Sequence, residues 1–495
     1  MKTIRAILSV VISATLGRGC TDRNTPTVPR VPGADAAVAS QNAGSLVELS
    51  RPNAVGTCNT GFNAFGTWPT DEAEEPYVAV NPVHPNNIVA AWIQGPFQDI
   101  IAATSFDGGE TWQQVPLPVT VCAGGPFLAA GDQWFSFAPT GVLYGIATAG
   151  NSPSSVVQEV MKSTDGGLHW TTSVLPGSAD PRPEHASLTP DPTNAAFVYA
   201  IWLGHSSPHS ISAVFARTTN GGSTWEPARA IVQPAQQSFI QFSQILVLPN
   251  GTLIDLYEFF AQQPNGPITQ TSLELLRSTD HGRSWSTPVN AVTMTPLYNP
   301  DGTTLVVDPE TGQLVWDVTN PSFAEDMRNG NLYAVWEDGR FSNFQYNDIA
   351  LSMSADGGFS WSAPVRVNQT PLNIPAANRQ SFLPSIAVAA NGTIGVSYYD
   401  FRFNSPSPGL PADRWLVQCH PSPNGPATNP ACWTGEVRLT TSSFNMEAVV
   451  PNFGGRFFLG DYFGLAAAGN DFVATFIQPD RDNVTSVFFA RNANK

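Results

Sequence analysis

Short apolar segments alternate with turn-rich stretches along most of the chain. Tyr77-Val-Ala-Val80 is followed by Ile88-Val-Ala-Ala-Trp92, and Leu332-Tyr-Ala-Val-Trp336 by Ile349-Ala-Leu-Ser352. These runs are rich in β-branched and aromatic residues and too short for helices, so they read as buried strands. Near the end of the chain, residues 464–468, 472–477 and 486–491 supply three more strands. Residues 46–50 (LVELS) resemble the outer strands that follow other units, and the expectation is that they close the array onto its last sheet. Gly (41) and Pro (43) punctuate the 495 residues, which requires many tight turns without reaching the roughly 25–30% of a low-complexity chain. The pattern predicts an all-β protein.

One apolar run is different. Residues 6–16 follow Lys2 and Arg5, are too short to span a bilayer as a mature helix, and suit an export signal. Residues 1–20 are therefore read as a signal segment, 21–44 as a disordered Pro-, Ala- and Asn-rich tether, and 45–495 as the folded domain. Cys20 resembles the lipidated cysteine of bacterial lipoproteins, although Gly17-Arg18-Gly19 stands where Leu-Ala-Gly is usual; an ordinary signal-peptidase site is the alternative. The expected location is secreted, periplasmic or cell-surface, with the membrane reached only through such a lipid. In an oxidising compartment the other four cysteines are expected to pair, Cys419 with Cys432 across a turn-rich stretch and Cys58 with Cys122.

Charge narrows the chemistry. Lys+Arg number 23 against 39 Asp+Glu, a formal charge of −16, with no basic cluster, so nucleic acid is an unfavourable partner. The only lysines are Lys2, Lys162 and Lys495, which disfavours P-loop and Schiff-base chemistry, and the seven histidines include no HExxH pair.

An octapeptide recurs at Ser105–Trp112 (SFDGGETW), Ser163–Trp170 (STDGGLHW), Ser278–Trp285 (STDHGRSW) and Ser354–Trp361 (SADGGFSW), with a weaker copy at Thr218–Trp225 (TTNGGSTW). The starts lie 58, 55, 60 and 76 residues apart, a spacing that marks a stacked or radial array. Each copy makes physical sense as a hairpin, with Asp107, Asp165, Asn220, Asp280 or Asp356 accepting turn amides, Gly supplying positive φ and Trp covering the seam between units. These aspartates are read as turn formers and not catalysts.

The motif S-x-D-x-G-x-x-W resembles the Asp box, or BNR repeat, of the sialidase superfamily of β-propellers, and the exported chain as a whole is similar to bacterial exo-α-sialidase-like proteins. The resemblance implies a β-propeller of four-stranded antiparallel blades. Innermost-strand segments near Pro76, Gln133, Ala186, Ser243, Thr304, Pro384 and Tyr462 count seven blades, with six as the alternative. Strands in a blade alternate in direction, so the boxes fall on one face and the entries to the innermost strands on the other, which is the expected working face.

Those entries carry Glu74, Glu75, Asp132, Gln133, Arg182, Glu184, His185, Gln241, Asp301, Arg379, Gln380, Asp461 and Tyr462, and neighbouring loops add Trp336-Glu-Asp-Gly-Arg340 and Tyr398-Tyr399-Asp-Phe-Arg402. By resemblance, Arg182, Arg340, Arg379 and Arg402, with Trp336, form a clamp for an acidic sugar. Tyr399 or Tyr462 is the nucleophile, and Glu75, Asp132, Glu184 or Asp461 the acid/base. The Phe/Tyr-Arg-Ile-Pro motif that supplies the first arginine in that family is missing here. Asp338-x-Arg340 and Asp400-x-Arg402 read equally well as structural pairs across neighbouring blades. His185 is either a general base, as in seven-bladed polysaccharide lyases, or a satisfied polar residue. Glu75, Asp132 and Asp461 give a weak calcium pattern; no other cofactor or metal is implied. The leading expectation is a monomeric, glycan-binding glycoside hydrolase acting on an acidic glycan. A non-catalytic binding scaffold and a polysaccharide lyase are the alternatives.

Overall fold

The computed structural model describes residues 46–493 apart from 52–53, 63–70, 96, 153–154, 181–182, 208–209, 264–266, 299–304, 316–319, 422–425, 450, 453–455, 481 and 483. The signal segment, the tether, Cys20, Arg182 and Asp301 lie outside the described residues.

Among the described residues, seven antiparallel sheets form the blades of a β-propeller. Their innermost strands are Ala73–Val80, Ala129–Phe137, Glu184–Pro190, Ser238–Val247, Ser322–Asp326, Ser381–Val388 and Leu465–Ala468. Each packs against the next, and the seventh packs against the first, so the wheel is closed. Val47–Glu48 completes the seventh blade by pairing antiparallel with Thr485–Asn492, Val47 opposite Phe489. That strand staples the start of the described chain to its end and removes the open edge of the array.

The fifth innermost strand is Ser322–Asp326 and not the segment near Thr304. Residues 306–307 and 314–315 instead join 451–452 and 456–457 in a small outlying sheet with one parallel step, Val315 beside Phe457. Leu305-Val-Val with its Asp308-to-Gln313 turn gives a stronger apolar signal than Ser322-Phe-Ala-Glu-Asp326, whose two carboxylates hide a strand that tertiary packing alone makes regular.

The box hairpins repeat one hydrogen-bond pattern. Ser105 Oγ donates to the Asp107 carboxylate at 2.8 Å, and that carboxylate accepts the amides of Glu110 and Thr111 at 3.0 and 2.9 Å. Trp112 Nε1 closes back on the Gly109 carbonyl, and its ring packs edge-on against Phe489 of the seventh blade, 4.9 Å between centroids. A Cβ at Gly109, where φ is 100°, would lie 2.3 Å from Phe489, so only glycine allows this approach. Asp165, Asp280 and Asp356 repeat the carboxylate bonds, and Asn220 substitutes its amide oxygen, while the tryptophan bond recurs at Trp170 and is not made by Trp285 or Trp361. The disulfides join Cys58 to Cys122 and Cys419 to Cys432. No helix among the described residues is long and apolar enough to cross a membrane.

Candidate functional site

Five innermost strands carry the same irregularity on the face opposite the boxes. Their register slips between Glu74 and Tyr77, Gly131 and Trp134, Glu184 and Ser187, Gln241 and Ser243, and Phe382 and Ser385. Each slip places a non-glycine residue in the left-handed region: Glu75 (φ 50°), Asp132 (51°), His185 (49°), Phe242 (44°) and Leu383 (51°). Such backbone persists only where surrounding packing over-determines it, and bulges of this kind re-aim side chains beside binding sites. Gly460 (φ 125°) precedes Asp461 at the seventh entry and packs so closely on the Glu75 backbone that a Cβ there would come within 2.8 Å.

The bulges crowd Glu75, Asp132, His185, Asp461 and Tyr462 together. The Asp461 amide lies 3.4 Å from Glu75 Oε1, and the Tyr462 hydroxyl donates to the Gln133 carbonyl at 3.1 Å beside the Glu75 carboxyl. Gln133 Nε2 donates to the Glu75 carbonyl at 2.5 Å. The His185 backbone amide and the Thr148 hydroxyl support Asp132. Burial pushes the Glu74 and Glu75 carboxyls well above the usual carboxylate range, and their neighbours Asp461 and, for Glu75, Asp132 add to it. Burial also raises Asp132, with His185 opposing. The Tyr462 hydroxyl is raised by burial and by Glu75, Asp132 and Asp461. Glu75 Oε2, Gln133 Oε1 and His185 Nδ1 are buried with no hydrogen-bond partner among the described residues.

Tyr462 and Asp461 line an axial cavity, with Asn320, Gln244, Phe242, Phe323 and Leu383 among its other walls. Below the carboxylates the rings form a belt. Tyr77 lies 4.2 Å from Trp134, Trp134 6.3 Å from Phe242, and Phe242 5.9 Å from Phe323, with Tyr462 6.2 Å from Trp134. Burial keeps the Tyr77 phenol protonated, and burial raises Glu325 beside it to about 7.

Other candidates lie elsewhere. Arg340 is held bidentately by Asp338 at 2.7 and 2.8 Å and donates to the Thr293 carbonyl. Burial opposes ionisation of Asp338, but bonds from Arg340, Thr295 and Trp336 outweigh it and hold the carboxyl below its ordinary range. Arg402 is buried between Asp400 and Glu436 and stacks on Trp415, 3.6 Å from the ring centre. Both arginines thus pair with the carboxylate two residues earlier in their own loop, not across blades, because Asp-x-Arg spacing lets a turn close on itself. Arg379 donates to the Ile374 carbonyl and the Tyr346 hydroxyl. Trp336 is fully buried, its Nε1 on Asp338. Tyr399 is fully buried and bonded at 2.8 Å to the Ile477 carbonyl of the next blade. Among the described residues no arginine lines the axial cavity, so the expected anion clamp is not assembled there. Glu184 is half exposed, 4.0 Å from His185. No group of three or more His, Cys, Asp or Glu among the described residues is placed to hold a metal ion.

Sequence reasoning missed Asn320, Phe242, Phe323, Leu383 and Glu325. Phe242 and Leu383 were detectable only by aligning them with Glu75 and Asp132 at one strand position. Asn320, Phe323 and Glu325 escaped because their strand was placed near Thr304.

No protein-family model and no curated protein matches this chain. Similar solved structures include a Hadza microbial sialidase (13% identity, 82% of this chain and 74% of that one, TM-score 0.44). They also include the Penicillium chrysogenum α-L-arabinanase (14%, 86% and 95%, 0.44) and the intramolecular trans-sialidase of Ruminococcus gnavus (15%, 88% and 98%, 0.42). At these values the likeness carries no argument about chemistry. The propeller assignment rests on the sheets themselves.

Proposed function

We propose that this chain is an exported carbohydrate-active propeller that cleaves a glycosidic bond at the axial cavity. The observation that carries the reading is Tyr462 on the wall of that cavity, its hydroxyl beside the Glu75 carboxyl and in the field of Asp132. In the first displacement Tyr462 oxygen attacks the anomeric carbon as its proton passes to Glu75. The protonated Asp132 gives its proton to the departing glycosidic oxygen. In the second, water replaces the tyrosyl oxygen, Asp132 takes the water's proton and Glu75 returns one to Tyr462. A phenol needs an adjacent base to serve as nucleophile. Burial that keeps Asp132 protonated favours its transfer to the leaving oxygen, whereas the burial that raises Glu75 means that only its ionised fraction accepts the Tyr462 proton.

The test is turnover of p-nitrophenyl glycosides by wild type, Tyr462→Phe and Asp132→Asn. Wild-type turnover is expected, with kcat/KM lowered at least about a hundredfold in Tyr462→Phe while its melting temperature stays close to wild type. Undiminished turnover by Tyr462→Phe would reject this assignment.

A further inference from the structure

We infer that the axial cavity takes an uncharged sugar ring in preference to an anionic one, an inference that rests on the glycan-cleaving reading of the same site. Two layers support it. The upper layer is acidic: Asp461 stands on the cavity wall, and Glu75 and Asp132, at adjacent bulges, are packed behind it and Tyr462. The lower layer is apolar: Trp134, Phe242 and Phe323 in one belt. A sugar ring has this division, with hydroxyls on its rim and C–H groups on its face, so it can lie on the rings while its hydroxyls meet Asp461 and Tyr462.

A ligand carboxylate has no such match. Where the carboxyls are ionised they repel it, and where they are protonated they offer hydrogen bonds without the countercharge that would offset its desolvation. Arg414 is buried behind the wall, donating to the Leu383 carbonyl and to Ser385 and Ser397, and Arg340 and Arg402 are committed to Asp338 and to Asp400 and Glu436. The site is also uneven around the axis. Polar bulge residues come from the first three blades, whereas the fourth and sixth contribute Phe242 and Leu383. A ring is therefore oriented with its hydroxyl edge toward Tyr462 and its face toward Phe242.

The experiment is a panel of p-nitrophenyl α- and β-glycosides of neutral hexoses and pentoses, the matching hexuronides, and the sialoside, assayed with the whole chain. The expected result is cleavage of neutral members, with anionic members at least tenfold lower in kcat/KM. Phe242→Ala is expected to raise KM for the best neutral member at least tenfold, and Asp461→Asn to narrow the neutral-over-anionic ratio. If a hexuronide or the sialoside is cleaved best, or Asp461→Asn leaves the ratio unchanged, the neutral preference is overturned while glycan cleavage stands. If no member is cleaved, the cleavage reading falls, and this inference with it.

Discussion

Arg491, on the last strand of the chain, donates from Nη1 to the Gly108 carbonyl of the first box hairpin at 3.1 Å. The contact closes the wheel on the box face and belongs to a series. Lys162, immediately before the second box, reaches the Gly221 carbonyl of the third at 2.7 Å. Arg217, immediately before the third, reaches the Asp280 and His281 carbonyls of the fourth. A tight hairpin leaves carbonyls that its own backbone cannot pair, and a cation from the preceding blade satisfies them. Lys162, the one lysine outside the two chain ends, is spent on this contact.

Removing one such cation should loosen ring closure without touching the axial face. Arg491→Ala also removes the bond from Arg491 to the partly exposed Asp471 at 2.8 Å. A loss of about 1–2 kcal/mol is expected. Chemical denaturation should show a lower midpoint with an unchanged slope, and adding Lys162→Ala should lower it additively because the two sites are far apart.

Tyr399 and Tyr462 should behave oppositely. The Tyr399 hydroxyl donates to the Ile477 carbonyl and accepts the Ile477 amide at 3.1 Å, tying the sixth blade to the seventh. Tyr399→Phe leaves both groups without that partner and should cost about 1–3 kcal/mol. Its kcat/KM per folded molecule should equal wild type, and a matching loss of activity would place Tyr399 in the site instead.

Stability should peak in mildly acidic buffer. Burial raises Asp255 to about 7 against a partly offsetting Ser243 bond, and burial raises Asp99 to about 7 as well. Folded values above the unfolded 3.8 mean that these carboxyls contribute fully below about pH 4, and that the contribution is lost as pH rises through about 7. The box aspartates act in reverse. Asp165 and Asp280 are held at about 2, burial opposing and hairpin bonds prevailing, so their contribution is present above 3.8 and lost as pH falls through about 2. Thermal melts should give a maximum between about pH 4 and 5. Asp255→Asn should lift the pH 8 melt toward the pH 5 value, and a wild-type maximum at pH 8 would contradict the assignment.

The two disulfides should differ in worth. Cys58–Cys122 spans 64 residues and Cys419–Cys432 only 13. Loop-closure entropy then gives about 4 kcal/mol for the first and about 3 for the second. Cys58→Ser/Cys122→Ser should therefore lower the denaturation midpoint more than the Cys419→Ser/Cys432→Ser pair does.

The local half of this protein was legible without coordinates. Ser105, Asp107, Gly109 and Trp112 interact within one hairpin, so their spacing alone specifies the turn, and its recurrence specifies the array. The 46–50 strand was legible for the same reason: its apolar pattern matches its role. Ser322–Asp326 was not, since two carboxylates mask its strand pattern.

The site was legible only in part. Glu75, Asp132, His185 and Tyr462 were visible as polar entries to innermost strands, but so were Arg340 and Arg402, and nothing in the order of residues ranks one set above the other. Only the tertiary structure separates the two sets in space. A one-residue bulge turned Glu75 and Asp132 toward Tyr462 and the axis, while the two-residue spacing of Asp338 with Arg340, and of Asp400 with Arg402, closed those arginines onto their own loops. Contacts between residues a few positions apart are written in sequence; those between Glu75 and Tyr462 arise from the curvature that brings the seventh blade back to the first.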